Sequence, residues 1–217
     1  MPLPTRGEVA RIYDEIATDY DRLRRRPWPE VLEFADSLSS RTLIADLGCG
    51  SGRHAKVLVE GGHDVVGLDA SPGLLSIARR KLPRAAFVLG DLCALPFRDA
   101  AFPALIAVAA IHHLPSESER VTAMREIARV LRPTGRALIT AWSLDDSDIG
   151  TEHDAHSVGL GPGDVWVPWR ADGKEVLRFY HLFAEGELPR LAGAAGLHVG
   201  KYFRSTDNYV AVVGRRG

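Results

Sequence analysis

A glycine-rich turn preceded by a carboxylate is the part of the sequence best suited to hold a ligand. Asp46 precedes three glycines at alternate positions, Gly48, Gly50 and Gly52. Glycine permits a positive φ and lets a ligand approach the backbone closely. The Gly-x-Gly-x-Gly pattern differs from the Gly-x-Gly-x-x-Gly turn that places a pyrophosphate on a helix N-terminus. Alone it leaves a dinucleotide site open, but Asp46 would repel a phosphate and would help to orient an ammonium group.

Two further carboxylates follow at nearly equal intervals along the chain. Asp69 ends the next predicted strand, and Asp91 with Leu92 follows the one after it. A carboxylate in the first position suits the two hydroxyls of a ribose, and an Asp-Leu pair in the second suits the exocyclic amine of adenine. Each residue alone would be an ordinary helix cap or turn residue. Three of them at successive strand ends favour a ligand that contains an adenosine.

The elements that must position these residues alternate between short apolar strands and amphipathic helices. The predicted strands cover 42–47, 64–68, 85–89, 104–109, 136–142, 197–203 and 209–214. The predicted helices cover 5–24, 30–38, 51–61, 71–82, 116–131 and 185–195. The alternation predicts an α/β fold, a doubly wound, Rossmann-like and mostly parallel sheet of seven strands. The link 204–208 is too short for a parallel crossover, so the last strand is predicted to be antiparallel.

Residues 143–178 break this alternation, with several Asp and Gly residues and no sustained period. A long irregular segment inside a compact domain is usually functional or disordered. We therefore predict one domain, 1–217, with a helical N-terminal lid at 1–40 and a substrate-binding insertion at 143–183.

Composition narrows the class of protein only a little. The formal charge is −1, so the balance of charges gives no argument for a nucleic-acid partner, and the arginines clustered at 22–26 have solvated surface as their plain interpretation. The two cysteines, Cys49 and Cys93, fit neither a disulfide nor a zinc spacing, and no metal site is predicted. We find no secretory signal or membrane-spanning run, and expect a cytoplasmic protein.

These residues resemble the motifs of class I methyltransferases, over nearly the whole chain. The resemblance implies S-adenosyl-L-methionine as cofactor and S-adenosyl-L-homocysteine as product. It implies that Asp46 and the glycines line the methionine portion, that Asp69 holds the ribose, and that Asp91 and Leu92 hold the adenine. Tyr13 and Tyr20 match a helix that often covers this cofactor, although core packing would explain their spacing equally well. The other expected cofactor contacts are Ala70 and Ala109.

Three stretches resemble more specifically the methyltransferases that esterify 5-carboxymethyluridine at the tRNA wobble position, including the methyltransferase domain of the AlkB-homologue tRNA enzyme. The stretches are Tyr13-Asp-Glu-Ile-Ala with Arg26-Pro-Trp-Pro, Ala109-Ala-Ile-His-His-Leu, and Val167-Pro-Trp with Arg178-Phe-Tyr-His. The His-His element alone is weak, because many small-molecule methyltransferases share it. The resemblance implies two partners: the tRNA anticodon loop, and a small zinc-binding activator protein docked along the edge strand 85–89.

The chemistry of such an acceptor gives an independent check. A carboxylic acid with a pKa of about 4 is already ionised at pH 7, so the site needs cations and donors rather than a strong base. The candidate catalytic residues are Arg26, His112, Arg178 and His181. The candidate platforms for a flipped base are Trp28, Trp166, Trp169 and Tyr180. For the histidines, packing in the core remains the alternative to a catalytic role. For Trp166 and Trp169, the alternative is that they pack the insertion against the sheet.

Two other functions stay open at this point. A small-molecule methyltransferase acting on a quinone, phenol or carboxylic acid would use an apolar pocket, and a phenol would require a base such as His112. An inactive subunit that binds the cofactor and stabilises a partner enzyme is the third hypothesis. The intact carboxylates Asp46, Asp69 and Asp91 argue against that loss of activity.

Overall fold

A computed structural model describes residues 2–144, 160–171 and 174–215. Its centre is a seven-stranded sheet in the order β3-β2-β1-β4-β5-β9-β8, and a separate pair of strands, β6 and β7, lies beside it. The strands are β1 (Leu43–Leu47), β2 (Asp64–Asp69), β3 (Ala86–Leu89), β4 (Phe102–Val108), β5 (Leu131–Trp142), β6 (Asp164–Ala171), β7 (Lys174–His181), β8 (Leu197–Ser205) and β9 (Asn208–Arg215). The helices of the described residues are α1 (Arg6–Glu15), α2 (Ala17–Leu23), α3 (Pro29–Asp36), α4 (Arg53–Glu60), α5 (Pro72–Lys81), α6 (Glu117–Val130) and α7 (Glu187–Ala194).

The sheet has the predicted direction in every strand. Strands β1 to β5 run parallel, and β9 runs antiparallel to both β5 and β8. The inner strands are mostly apolar because helices cover both faces. One core layer packs Met124 of α6 and Leu191 of α7 against the sheet, and the other packs Phe34 of α3 and Leu58 of α4. The predicted fold class is confirmed.

The N-terminal segment forms two helices where the sequence predicted one. Thr5 begins α1 with a capping box, and the chain bends at Ile16, whose ψ of 7° is not helical. The bend allows both helices to follow α5: Asp14 accepts hydrogen bonds from Ser71 and Gly73 at its start, and Asp21 pairs with Lys81 at its end. The N-terminal helices are therefore fixed over the carboxyl ends of the strands.

The insertion is more regular than predicted. Residues 145–159 and 172–173 lie outside the described part, but β6 and β7 pair along their whole length as an antiparallel ladder from Asp164↔His181 to Ala171↔Lys174. Trp166 and Phe179 pack against α1, whereas Val167 and Tyr180 belong to a second cluster beside Trp142. Since both faces are covered, the strands lack the alternation that would have identified them.

Candidate active site

A cavity of about 220 Å³ opens at the carboxyl ends of β1, β2 and β4, with α1 and α2 over it. Its position at the point where the strand order reverses is where open α/β sheets bind ligands. Nine of the eleven predicted cofactor residues line it: Tyr13, Tyr20, Gly48, Gly50, Asp69, Ala70, Asp91, Leu92 and Ala109. Asp46 and Gly52 lie behind the wall.

The glycine turn owes its shape to close packing as well as to its backbone angles. Gly48, Gly50 and Gly52 have φ values of 75°, 55° and 85°. A Cβ on Gly48 would lie 2.5 Å from the Cβ of Ala110, and one on Gly50 would lie 3.7 Å from the ring of Tyr20. Gly52 instead precedes α4 and packs against Leu82 of α5. Gly48 and Gly50 therefore shape the cavity, and Gly52 joins the turn to the helices.

Asp46 is a buried carboxylate whose Oδ2 has no hydrogen-bond partner among the described residues. Burial raises its pKa to about 7, and the negative charge of Asp69 adds to the effect. An orphaned buried carboxylate oxygen is costly unless a ligand supplies a donor. The site thus fits the ammonium end of the predicted cofactor.

Asp69 is held ready on the cavity wall. Its two oxygens accept hydrogen bonds from the backbone N–H groups of Gly50 at 2.7 Å and Ser71 at 2.9 Å. Burial raises its pKa, and these hydrogen bonds act in the opposite direction by favouring the charged form. A third backbone N–H, that of Ala70, also donates to this carboxylate, so about one of its four acceptor positions remains for a ribose hydroxyl.

Asp91 is already paired on both oxygens. Its Oδ1 accepts from the N–H of Cys93 at 2.8 Å, and its Oδ2 lies 2.8 Å from Nε of Arg6. Arg6 also pairs with Glu119 at 3.0 Å and lines the cavity. Sequence reasoning missed Arg6, because a lone arginine in the first turn of a helix is ordinary. An adenine amine would share Asp91 with this guanidinium.

Ala109 holds a left-handed backbone conformation at the end of β4, with φ of 52°. Its N–H donates to Oγ1 of the buried Thr140 at 3.0 Å. A non-glycine residue at positive φ is strained, and such strain is concentrated at functional sites. The turn brings Ala110 against Gly48 and carries the chain into a single 3₁₀ turn, Ile111–His113.

Of the two adjacent histidines, His113 lines the cavity, whereas the predicted His112 is buried behind it with 1% of its surface exposed. The N–H of Trp142 donates to Nδ1 of His112 at 3.2 Å, so the His112 proton lies on Nε2, which faces Nε2 of His113 at 3.2 Å. Nδ1 of His113 lies 3.1 Å from the carbonyl oxygen of Phe179 and must donate to it. Nε2 of His113 is therefore an acceptor.

Both imidazoles are neutral. Burial lowers the pKa of His113 to about 3, and the charge of Arg178 acts in the same direction. Burial also lowers the pKa of His112 well below its usual value, with His113, Arg178 and His181 adding to the effect. The geometry makes His113 the histidine beside the cavity and His112 its support.

A buried arginine continues this network into the hairpin. Tyr13 Oη lies 3.0 Å from Nε2 of His113 and 3.1 Å from Oη of Tyr180. Nη1 of Arg178 donates to Tyr180 at 2.6 Å, and a hydrogen bond also joins Arg178 to Tyr13. Only 3% of Arg178 is exposed, and its Nε has no partner among the described residues. The predicted Arg178 and Tyr180 therefore lie next to the predicted lid residue Tyr13.

The predicted tryptophans occupy different surroundings. Trp169 lies under the guanidinium of Arg178, with Cζ 4.7 Å from its ring centroid, and its centroid is 5.8 Å from that of Tyr20. Trp28 precedes α3 and meets Arg53, whose Cζ is 5.7 Å from the ring centroid. Trp166 packs on Phe179 within the cluster against α1. Trp166 and Trp169 are both buried, with 8% and 7% of their surfaces exposed, and Trp28 is partly exposed.

None of the four predicted catalytic residues lines the cavity. His112 and Arg178 reach it only through His113 and Tyr13, with which they form hydrogen bonds, and the other two have different surroundings. Arg26 is exposed in the link between α2 and α3. The buried His181 lies between Asp164, 2.6 Å from its Nδ1, and Glu187, 2.9 Å from its Nε2. With a carboxylate on each ring nitrogen, His181 joins the hairpin to α7 and has no nitrogen left for an acceptor.

Comparisons with known proteins agree with this geometry. The family model described as "Methyltransferase domain" matches residues 45–139. A solved structure of an S-adenosylmethionine-dependent methyltransferase from Methanosarcina mazei superposes with a TM-score of 0.74 at 19% identity, covering 88% of this chain and 98% of that one. A second structure, a complex of the Haloferax volcanii Trm112 methyltransferase activator with a methyltransferase, gives 0.71 at 18% identity, covering 96% and 98%. Fold, cavity and family model define an S-adenosylmethionine-dependent methyltransferase of class I.

Sequence relatives narrow the class to one family. The tRNA (carboxymethyluridine(34)-5-O)-methyltransferase of Schizosaccharomyces pombe is 31% identical, and the alignment covers 93% of each chain. A protein of the same activity name from Xenopus tropicalis is 32% identical over 89% of this chain, which spans only 39% of that longer protein. The chain belongs to the tRNA carboxymethyluridine methyltransferase family.

Proposed function

We propose that this enzyme transfers a methyl group from S-adenosylmethionine to the carboxylate of 5-carboxymethyluridine at the tRNA wobble position, forming the methyl ester. The observation that carries the proposal is Arg178. Its guanidinium is buried, touches only phenol oxygens and aromatic faces, and forms no ion pair with any carboxylate of the described residues. A buried cation without a counter-ion is costly, so the position suits an anionic acceptor.

The histidines support an acceptor that needs no base. Because the pKa of His113 is lowered to about 3, its imidazole is a weak base at neutral pH. A phenol, with a pKa of about 10, would have to lose a proton, whereas a carboxylic acid is ionised already. The pair is therefore better suited to positioning, with His113 holding Tyr13 and His112 holding His113.

We assign the cofactor contacts by the same reasoning. Asp46 receives the ammonium, Asp69 the ribose hydroxyls, and Asp91 with Leu92 the adenine edge, while Tyr13 and Tyr20 close the cavity from α1 and α2. When bound, the cofactor supplies a methyl group on a positively charged sulfur. The residues of this chain align the acceptor and exclude water. In this scheme residues 1–40 act as the lid and residues 143–183 as the acceptor-binding segment.

The edge strand β3 is the proposed docking place for a small zinc-binding activator. One side of β3 pairs with β2, no strand of the described residues pairs with the other, and Leu89 is 54% exposed. An unpaired apolar edge is a template for strand addition. The resemblance to a methyltransferase solved together with its activator supports this partner. The free cysteines Cys49 and Cys93 fit a cytoplasmic enzyme. No helix of the described chain is long and apolar enough to cross a membrane.

Replacing Arg178 tests the proposal. Arg178→Gln should lower kcat/KM for ester formation on unesterified tRNA by about a hundredfold, because the carboxylate loses its charged donors. Binding of S-adenosylhomocysteine, measured by calorimetry, should change less than about twofold in the variant. The control is Arg125→Gln, an exposed position on α6. An Arg178→Gln enzyme that esterifies tRNA at the control rate, or a wild type that methylates phenols faster than tRNA, would contradict the proposal.

A further inference from the structure

Two arginines near the cavity have no role in the scheme so far. Arg24 follows the end of α2, and Arg53 is the first residue of α4. Both side chains are half-buried, and neither forms an ion pair with the described residues. Half-buried cations that lack an acidic partner point to an anionic ligand.

Each of the two arginines lies against a tryptophan. Arg24 Cζ lies 5.7 Å from the ring centroid of Trp169, the same indole that Arg178 contacts, while Arg53 stacks on Trp28. The positive charges of Arg53, Arg24 and Arg178 all act on the phenol of Tyr20 and lower its pKa against the larger effect of burial, which raises it. Tyr20 itself forms part of the cavity wall. Arg24 and Arg178 thus share the indole that lies beside Tyr20, and Arg53 adds a third positive charge at the start of α4.

Mutual repulsion makes this arrangement unfavourable without a ligand. Burial lowers the pKa of Arg53 and the charge of Arg24 lowers it further, while Tyr20 and Asp46 act in the opposite direction. One acceptor carboxylate would balance Arg178 alone. Asp46 compensates part of the charge of Arg53, but we assign that carboxylate to the cofactor ammonium, and Arg24 forms no ion pair among the described residues. A second anion beside the first would therefore stabilise the two arginines.

We propose that Arg24 and Arg53 form a subsite for one of the two backbone phosphates that flank the acceptor nucleotide. Guanidinium groups match phosphate oxygens in charge and in hydrogen-bond geometry. Trp28, which is partly exposed and contacts Arg53, offers a platform for an unstacked base of a single strand, whereas the buried Trp169 supports Arg24. The inference rests on the proposed function, since it takes the acceptor to be part of an RNA chain. It makes the enzyme specific for a phosphodiester-linked nucleotide over the free nucleoside.

The test measures binding of a fluorescently labelled RNA hairpin with an anticodon-loop sequence to the full chain. A neutral methylphosphonate replaces either the 5′ or the 3′ phosphate of the acceptor uridine. We expect one of the two replacements to weaken binding of the hairpin to the wild type about tenfold, and Arg53→Gln to weaken binding of the unmodified hairpin to the same degree. The variant and the modified hairpin together should bind no more weakly than with either change alone. Arg24→Gln should behave alike, Arg53→Lys should retain part of the affinity, and Arg125→Gln should bind as wild type.

Three outcomes would overturn the subsite. In the first, Arg53→Gln weakens binding of the unmodified hairpin and of both methylphosphonate hairpins to the same degree. In the second, Arg53→Gln does not change hairpin binding, and in the third, the wild type binds no hairpin. The readout needs no methyl transfer, so it separates this inference from the proposed function. If the enzyme forms the ester on tRNA but the effects of Arg53→Gln and of the methylphosphonate on binding simply add, only the subsite is refuted. If the two changes together weaken binding no more than one of them, and no ester forms on tRNA, the subsite is supported and the proposed acceptor is refuted.

Discussion

Asp46 is the residue whose proposed role in binding the cofactor depends most on its protonation state. Its buried Oδ2 has no hydrogen-bond partner within the described part of the chain, and burial together with the charge of Asp69 raises its pKa to about 7. A raised folded-state pKa stabilises the ligand-free protein at low pH, and this contribution is lost as the pH rises toward about 7. Bound ammonium favours the ionised form and reverses this preference.

Cofactor affinity should therefore increase with pH. We expect binding of S-adenosylhomocysteine to strengthen by up to about tenfold per pH unit below pH 7 and to level off above it, because the carboxyl must first lose its proton. Calorimetric titrations across this range check the expectation. In Asp46→Asn the affinity should be lower and this pH dependence absent. A flat wild-type profile, or the same slope in the variant, would contradict the assignment of Asp46.

Gly48 is sensitive to a single added methyl group. Gly48→Ala would place its Cβ 2.5 Å from Ala110 at a φ of 75°, so the turn must shift and the cofactor site with it. We expect its affinity for S-adenosylhomocysteine to fall at least about tenfold, by analogy with the cost of strained backbone and overpacking. Gly62→Ala is the matched control, because Gly62 has a φ of 83° and open space around its Cβ position. Equal losses in both variants would show that backbone strain alone is responsible.

At the residue scale, the sequence predicted which residues lie near the cavity better than it predicted which other residues they contact. Repeated carboxylates at strand ends predicted Asp69 and Asp91 at the cavity because parallel strands end at one edge of a sheet. The choice between His112 and His113 was beyond a sequence pattern, since the positive φ of Ala109 and the 3₁₀ turn decide which ring faces the cavity. Arg6, Arg24 and Arg53 were missed as site residues because only the packing of α1, α2 and α4 brings them there.

The hairpin β6-β7 is the element that completes the site, and its attachment is polar. His181 bridges Asp164 of β6 and Glu187 of α7, and Glu187 also accepts from the N–H of Ala184 at 3.2 Å. Burial opposes ionisation of Glu187, yet its pKa is lowered because His181 and the backbone hydrogen-bond to the charged form. This bridge holds β7, and with it Arg178 and Tyr180, against α1.

Removing the bridge should loosen the hairpin before it unfolds the sheet. Glu187→Ala leaves a ring nitrogen of the buried His181 without its acceptor, a loss of about 1–3 kcal/mol in the free energy of unfolding. Thermal unfolding measures the loss, and the near-UV circular dichroism of Trp166 and Trp169 reports on the hairpin. Glu185→Ala, at an exposed neighbouring position, should change neither. An unchanged unfolding temperature in Glu187→Ala would show that apolar packing alone holds the hairpin.

At the element scale, periodicity predicted every helix and strand of the main sheet to within a few residues. The exceptions were the early start of β5 at Leu131, the bend at Ile16 and the hairpin. Each depends on tertiary contacts: the bend follows α5, and the hairpin strands are buried on both faces. A local sequence pattern indicates only whether a residue is buried, and it does not indicate which other element that residue packs against.

At the scale of the whole molecule, the outer edge of β3 pairs with no strand of the described residues, and we assign it to a partner. Leu89→Lys should weaken association with a purified zinc-binding activator of this family at least about tenfold, because a charged side chain on an edge strand opposes strand addition. Sedimentation velocity or calorimetry measures the association, and cofactor binding should not fall. Leu32→Lys, at a similarly exposed leucine on α3, is the control. If Leu89→Lys associates with the activator as strongly as the wild type does, the activator does not dock on β3.

The most direct test of the central claim follows the methyl group into tRNA. Purified enzyme and S-adenosylmethionine are incubated, with and without the activator, with tRNA that carries unesterified 5-carboxymethyluridine, and the digested nucleosides are analysed by mass spectrometry. We expect the free acid at the wobble position to be replaced by its methyl ester and every other nucleoside to stay unchanged. If the enzyme binds its cofactor but no methyl group reaches that carboxylate in either incubation, the assignment of the acceptor is wrong.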